Sequence, residues 1–173
     1  WQGNNSPQNI GLTIVGYLYR QGIEKNDKIR ELAVKRERIS SDMFNYIYIS
    51  PRANDKDLNN YLSFIRDIDL PTRERALFIS AISLSLFHRF DTRKVQVLME
   101  AAVSDNIQFR ARAIVGLVVT MQMYDTRWSL YPELKSQLAI MSENPDFRKA
   151  ILLVIIQLIR SRETEQISKK IKE

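Results

Sequence analysis

His88 is the chain's one histidine and the first residue to consider for chemistry. A catalytic triad or a histidine-based metal site needs an imidazole held in a pocket with its partners. His88 instead ends an apolar stretch beside Arg89, and the chain has no cysteine. The spacings G-x-G-x-x-G, G-x-x-x-x-G-K-[ST] and H-E-x-x-H are also absent from the sequence. We therefore place His88 at a surface or helix end, and we expect a non-enzymatic protein without metal or cofactor.

Arginines early in three apolar segments are the stronger candidates for a functional role. The segments are Thr72-Arg73-Glu74-Arg75-Ala76-Leu77, Phe109-Arg110-Ala111-Arg112-Ala113-Ile114 and Phe147-Arg148-Lys149-Ala150-Ile151. Arg75 and Arg112 are 37 residues apart (112 − 75), and the same step reaches Lys149. An acidic residue precedes each of these three by six or seven positions, which predicts a ladder of structural ion pairs, Asp69 with Arg75, Asp105 with Arg112 and Glu143 with Lys149.

Basic residues with fewer acidic neighbours are candidates for binding a partner. A row of guanidinium groups can bind an acidic peptide or a phosphate backbone, and an aromatic ring beside them can stack on a base. The net charge of +6 favours acidic partners, although charges of both signs are mixed along the chain, as on an ordinary solvated surface. The candidates are Arg73, Arg110, Arg148, Lys149, Arg127 and Trp128.

Helices are the elements predicted to position these residues. Only 5 Gly and 5 Pro occur, too few turn formers for a sandwich or barrel. Apolar residues between 58 and 68 follow the spacing i, i+3, i+4, i+7, i+10 of a one-sided helix, whereas residues 72–88 and 108–123 are apolar nearly all round, as in a helix enclosed by neighbours. Ala81–Leu86 alternates like a strand, but it sits inside a long apolar segment without Gly or Pro, so we predict a helix whose small serines admit a close neighbour.

Turn signals divide these helices into hairpins. Pro71 and Pro145 suit the first turn of a helix, and Asp91 and Asp125 suit N-caps. Pro132 should kink the helix expected over 127–142, or begin a new one, near residue 131. Together with the period of about 37 residues, these signals predict stacked hairpins, each too small to bury its apolar face alone.

Over roughly residues 55–173 this pattern resembles the HEAT-repeat family, whose hairpins carry an acidic residue in the turn and an arginine early in the second helix. Lys149 departs from that pattern, as does Arg38, which lacks a clear acidic partner. The resemblance implies an all-α, right-handed α-solenoid of about four antiparallel helical hairpins. It also implies a protein-protein interaction or scaffold module that presents a curved surface. Because DNA alkylation-repair glycosylases use a HEAT-like fold too, nucleic-acid binding or DNA repair through the basic edge is the alternative.

The domain expected is a single helical-repeat unit over 1–173, part of a longer protein. Residues 1–50 form its first hairpin, with helices over 10–21 and 27–49, and 55–161 hold the clearest repeats. The segment 163–173 begins a further repeat or forms a cap. No apolar run approaches the roughly 20 residues of a membrane helix, so no membrane span is expected. The compartment stays open, with a soluble, cytoplasmic location slightly favoured.

The carboxyl-terminal apolar run, residues 150–159, is too apolar for the polar outer face of a terminal repeat. The segment after it offers little more than Ile167 and Ile171 as cover. We therefore expect part of this run to be exposed. The hypothesis is that 150–159 contacts either a missing following repeat or a second copy of this chain. The partner expected for the domain as a whole is a protein partner or the remainder of the parent chain.

Overall fold

The computed structural model describes residues 26–172, and the side chains of residues 30–164. Within these residues it is helical, without strands, which confirms the predicted all-α class. The predicted helix over 27–49 is present, whereas the one over 10–21 lies outside the described residues. The elements are α1 (Asn26–Ile49), α2 (Asp55–Arg66), α3 (Thr72–His88), α4 (Thr92–Ala102), α5 (Ile107–Met123), a 3₁₀ helix (Asp125–Leu130), α6 (Pro132–Met141) and α7 (Pro145–Lys172).

The helices pack in two rows. In the first row α3 contacts α1 and α5, and α5 contacts α7. In the second row α4 contacts α2 and α6. The rows meet where α4 packs against α3 and α5, and the buried apolar side chains form one continuous cluster between them. Helix α3 is thus enclosed mainly by α1 and α5, two places before and after it, whereas α4 packs mostly on α5 and α3. None of the described helices is both long and apolar enough to cross a membrane.

The predicted turn signals set most helix starts. Asp91 caps α4 by accepting hydrogen bonds from the amides of Arg93 (2.9 Å) and Lys94 (3.3 Å). Pro145 is the first residue of α7, and Pro132 begins α6 directly after the 3₁₀ helix, which confirms the predicted break near 131. Asp125 differs from the prediction, because it lies inside the 3₁₀ helix and accepts from the amide of Thr126 at 2.6 Å.

The alternating stretch Ala81–Leu86 is helical, and its serines face inward as predicted. Ser83 and Ser85 are buried, and the Ser83 hydroxyl donates to the Ile79 carbonyl at 2.9 Å. Gly116 of α5 lies against Ser83: a Cβ atom at this glycine would sit 2.1 Å from Ser83 Oγ and 2.8 Å from Ser83 Cβ. The small residues therefore let α3 and α5 approach more closely than any larger pair would allow.

The structural repeat is unequal, whereas the sequence predicted a single period of about 37 residues. Helices α3, α5 and α7 begin at residues 72, 107 and 145, so the steps are 35 (107 − 72) and 38 (145 − 107). Burial follows the first step, since Phe78, Ile79 and Ile82 are matched 35 residues later by the buried Ala113, Ile114 and Leu117. The second step is longer because the 3₁₀ helix is inserted before α6. A period of 37 approximates the mean of the two steps.

The carboxyl-terminal segment also differs from its predicted role. Residues 163–172 were expected to begin a further repeat or to form a cap, and the structure instead continues α7 to Lys172. Neither Gly nor Pro interrupts the chain between Pro145 and Lys172, so nothing local ends the helix. The segment therefore extends away along the axis of α7 and cannot fold back over residues 150–159.

Tyr61 gives the fold a predictable response to alkaline pH. Its ring is buried edge-on against Phe78, with centroids 5.5 Å apart, and burial raises its pKa from 10.0 to about 12. Because the folded state favours the neutral phenol, the stability that Tyr61 contributes is present below pH 10 and is lost as pH rises through about 12. We expect the free energy of unfolding, measured by urea titration, to fall by about 2 kcal/mol over this range on account of Tyr61.

The matched variants for this prediction are Tyr61→Phe and Tyr46→Phe. Burial also raises the pKa of Tyr46, but that side chain is 39% exposed, so its removal should change the alkaline response less. Tyr61→Phe should remove most of the alkaline loss. A Tyr61→Phe protein that loses as much stability as the unaltered chain would show that the loss has another origin.

Candidate functional site

A pocket of about 270 Å³ lies where the carboxyl ends of α1 and α3 meet the amino end of α4. Polar groups that converge on a pocket mark the first place to look for ligand or active-site chemistry. Its lining residues are Tyr48, Ile49, Ser50, Pro51, Ser85, His88, Arg89, Asp91 and Lys94.

Lys94 is the most buried charged group of this pocket, with 2% of its surface exposed. Its ammonium donates to the hydroxyls of Ser85 (2.7 Å) and Ser50 (2.8 Å) and to the carbonyl of Ile47 (3.3 Å). An ammonium has three protons, so these three bonds use its full donor capacity. Burial lowers the pKa of Lys94, and the nearby Asp91 carboxylate opposes that shift. The side chain thus ties α4 to the ends of α1 and α3.

Asp91 and His88 complete the junction. Besides capping α4, Asp91 accepts from the amide of Ala53 at 2.7 Å, which fixes the connection between α1 and α2. His88 is the exposed last residue of α3, where its Nε2 is hydrogen-bonded to the Tyr48 hydroxyl and its ring meets the Tyr48 ring edge-on at 4.9 Å. The polar groups of this pocket therefore join helix ends to one another. Among the described residues, no cluster of three or more His, Asp or Glu side chains is placed to hold a metal ion.

The arginines early in α3, α5 and α7 share one structural role. Arg75 Nη1 donates to the Ile65 carbonyl (3.4 Å), Arg110 Nη1 to the Ser104 carbonyl (3.3 Å), and Arg148 Nε to the Ser142 carbonyl (3.1 Å). Each acceptor lies at the carboxyl end of the preceding second-row helix. Carbonyls there lack partners within their own helix and carry a partial negative charge, which a guanidinium stabilises.

These bonds give the arginines backbone carbonyls as acceptors, and the arginines that they match are Arg75, Arg110 and Arg148, with Arg112 and Lys149 exposed. The ladder of Asp69 with Arg75, Asp105 with Arg112 and Glu143 with Lys149 stays a prediction. The unequal steps of 35 and 38 residues explain why Arg110 and Arg148 are equivalent to Arg75, since 110 − 75 and 148 − 110 reproduce these steps.

Ion pairs join helices two places apart along the rows, and the sequence analysis missed them. Arg36 pairs with the buried Glu74, linking α1 to α3. Arg93 pairs with Asp55, and Arg66 with Glu100, each at 2.7 Å, linking α2 to α4. The partners are separated by 38, 38 and 34 residues in sequence. A search for opposite charges one repeat apart would have found them.

The six residues proposed for partner binding are not brought together in one site. Arg73 and Lys149 are exposed near the starts of α3 and α7. Arg110 and Arg148, near the starts of α5 and α7, bond to backbone carbonyls. Arg127 lies beyond the other end of α5, about 25 Å away along this 17-residue helix. Its guanidinium lies over the Tyr124 ring at 5.5 Å.

Trp128, the sixth of these residues, takes part in packing. Its ring is half-buried and meets the buried Phe90 edge-on, with centroids 6.2 Å apart. Tyr124 and Tyr131 contact the same phenylalanine, at 5.2 Å and 5.1 Å. The aromatic cluster thus anchors the 3₁₀ helix to the core and leaves Trp128 poorly placed to stack on a nucleic-acid base.

The outer face of α7 carries exposed apolar side chains, as the run 150–159 predicted. Its opposite face packs on the core through Phe147, Ile151, Val154 and Leu158. The exposed positions are equivalent, at a step of 38, to buried positions of α5: Leu152, Ile155 and Ile156 are 52%, 38% and 44% exposed, against 2%, 0% and 6% for Ile114, Leu117 and Val118. Leu153 and Ile159, 52% and 53% exposed, extend this surface. We call Leu152, Leu153, Ile155, Ile156 and Ile159 the α7 face.

Comparison with known proteins adds one short similarity. No family model matches the chain, and no solved structure matches it. A stretch of 27 residues is 70% identical to the arabinooligosaccharides transport system permease protein AraP of Bacillus subtilis (strain 168). The match covers 16% of this chain and 8% of the permease. A similarity of that extent shows neither a family nor a fold, and the resemblance to HEAT repeats stays a prediction.

Proposed function

We propose that this chain is a non-enzymatic protein-interaction or scaffold module, a HEAT-like right-handed stack of about four helical hairpins that binds a partner through the α7 face. The observation that carries the proposal is the contrast between α5 and α7 at equivalent positions. Ile114, Leu117 and Val118 are buried, whereas Leu152, Ile155 and Ile156 are exposed. Contiguous exposed apolar surface of this kind is typical of interaction sites.

Two further features support an interaction role. Lys94, which lines the pocket described above, donates hydrogen bonds to Ser85, Ser50 and the Ile47 carbonyl, and the early arginines donate to carbonyls at helix ends. Both sets of groups therefore already stabilise the fold. In a stack of repeats, a helix without a polar outer face offers the next position in the row to a binding partner. The α7 face occupies that position.

Peptide display tests the proposal. A random peptide library should yield binders of the unaltered chain, and most should lose binding to the variant Leu152→Asp/Ile156→Asp, because aspartate places charge within the apolar contact. Ile140→Asp is the matched control, since Ile140 of α6 is 66% exposed and lies outside the α7 face. Binders that recognise both variants equally would contradict a role for this face.

Nucleic-acid binding or processing through the basic edge is the second candidate. The net charge of +6 and the position of Arg73, Arg110 and Arg148 near one edge of the first row favour it. The packing of Trp128 on Phe90 and the carbonyl bonds of Arg110 and Arg148 leave fewer groups to bind a phosphate or a base. Fluorescence anisotropy with labelled duplex and single-stranded DNA over a salt series separates the two candidates. Phosphate contacts should be strongest at low salt, and no binding there would eliminate this one.

A further inference from the structure

Resting on the proposed function, we infer that the α7 face binds an α-helix of a partner protein whose apolar stripe is bordered by acidic side chains. Three observations support this partner. They are the spacing of the exposed apolar residues of α7, the helix that covers the equivalent surface of α5, and the charges at the two ends of the α7 face.

The spacing of the exposed residues suits a helix as the ligand. Leu152, Ile155, Ile156 and Ile159 stand at i, i+3, i+4 and i+7, so they form a straight stripe along one side of α7. From Lys149 to Arg160 the surface is about 17 Å long, or about three helical turns. An amphipathic helix laid along such a stripe buries its own apolar face against it.

The row itself shows what covers a surface of this kind. At the equivalent positions of α5 the apolar side chains are buried, and the helix that follows α5 in the row is α7. The α7 face lies where a further helix of the first row would pack. A partner helix placed there would repeat a contact that the chain already makes between α5 and α7.

The charges beside the face select an acidic partner. Exposed Arg148 and Lys149 lie at its amino end, after Asp146, and exposed Arg160 lies at its carboxyl end, followed by Glu163. Arg162 lies at the same end, against Gln122 of α5. A second copy of the chain would present the same basic groups. If two α7 helices packed together, in either the parallel or the antiparallel orientation, a basic end of one would lie opposite a basic end of the other. Like charges opposed across an interface disfavour association, whereas acidic groups bordering a partner's stripe would complement both ends.

Two synthetic helical peptides test the inference. Each has about 18 residues, or five turns, with the same leucine stripe, and the stripe is bordered by glutamate in one and by lysine in the other. By fluorescence anisotropy, the acidic peptide should bind at least about tenfold more tightly than the basic one. The difference should shrink at about 0.5 M salt, because screening weakens exposed charge pairs.

Variants locate the binding and its charge preference. Leu152→Asp/Ile156→Asp, and the uncharged Leu152→Gln/Ile156→Gln, should each weaken the acidic peptide by about tenfold or more, while Ile140→Asp should leave it unchanged. Lys149→Glu/Arg160→Glu should reverse the preference between the two peptides. Arg148 is left intact because it bonds to the Ser142 carbonyl. Circular dichroism of each variant verifies that the helices are retained.

Each contrary outcome has its own meaning. If both peptides bind equally and both are lost with the Leu152/Ile156 variants, the acidic border is wrong while the α7 face remains a protein-binding surface. If neither peptide binds, or if binding survives those variants, the helical partner at this face is wrong. A wild-type dimer in sedimentation velocity that Leu152→Asp/Ile156→Asp converts to monomer would identify a second copy as the occupant and overturn the inference.

Discussion

Replacing Gly116 by alanine should lower the free energy of unfolding by about 1–2 kcal/mol, although alanine is the better helix former. The new methyl group would lie 2.1 Å from Ser83 Oγ and 2.8 Å from Ser83 Cβ, so α3 and α5 would have to separate. Overpacking of a well-packed core usually costs about 1–3 kcal/mol, while helix propensity would favour alanine by about 1 kcal/mol. The steric effect should dominate, and urea unfolding followed by circular dichroism measures the difference.

The double variant Gly116→Ala/Ser83→Gly is the control for this contact. Ser83→Gly removes the two nearest atoms that the new methyl group would meet and leaves Leu98 Cδ1 at 3.3 Å. The two substitutions should therefore be strongly non-additive, and the double variant should recover part of the loss. Ser83→Ala should rescue less, because it keeps the Cβ atom. A Gly116→Ala protein more stable than the unaltered chain would show that the two helices adjust freely at this point.

Lys94→Ala should destabilise the fold by about 3 kcal/mol. The substitution leaves the hydroxyls of Ser50 and Ser85 without the ammonium as donor and opens a cavity in place of the aliphatic stem. It also removes one of the two donors to the Ile47 carbonyl, which keeps its bond from the Ser50 hydroxyl. Lys94→Met keeps most of the stem and removes the buried charge, so its loss should be smaller, about 1 kcal/mol. Urea unfolding at neutral pH measures both. Equal losses for the two variants would mean that the aliphatic stem contributes nothing and that loss of the ammonium accounts for the whole effect.

The same residue predicts a pH effect opposite in sign to that of Tyr61. Because burial lowers the pKa of Lys94 in the folded state, the unfolded chain binds more protons in the pH range between that lowered value and the ordinary 10.5. Stability should therefore rise with pH within this range. The rise is best measured in the Tyr61→Phe background, and Lys94→Met should abolish it. A rise that persists in Lys94→Met would assign it to other groups.

Much of the helical architecture could be predicted from periodicity and turn residues. The long apolar segment without Gly or Pro correctly outweighed the strand-like alternation at Ala81–Leu86, and Pro132 correctly marked a new helix start. The predicted equivalence of residues between repeats was wrong, because Arg75 was matched with Arg112 by residue identity. The pattern of buried residues instead matches Arg75 with Arg110. Burial depends on which neighbouring helices enclose a helix, and the sequence of one helix alone does not contain that information.

The candidate site could be predicted only in its apolar part. The exposure of Leu152 and Ile156 followed from an end helix too apolar to form a cap, which is a property of composition. The acceptors of the arginines could not be predicted in the same way, because every residue carries a backbone carbonyl and only the fold decides which one ends a helix near Arg148. Acidic residues in the turns were the visible alternative, and they predicted ion pairs for Arg75, Arg112 and Lys149 and no carbonyl bond for Arg148.

The unequal steps of 35 and 38 residues have a consequence for how this chain tolerates insertions and deletions. Helices α3, α5 and α7 keep one pattern of contacts although the chain between them differs in length, and the difference is absorbed between Met123 and Pro132. Segments added or removed there should change the numbering of the later helices and leave their packing intact. A gap of a few residues in that connection, when sequences of this kind are aligned, is therefore compatible with an unchanged fold, whereas a gap inside α5 would rotate Gly116 away from Ser83.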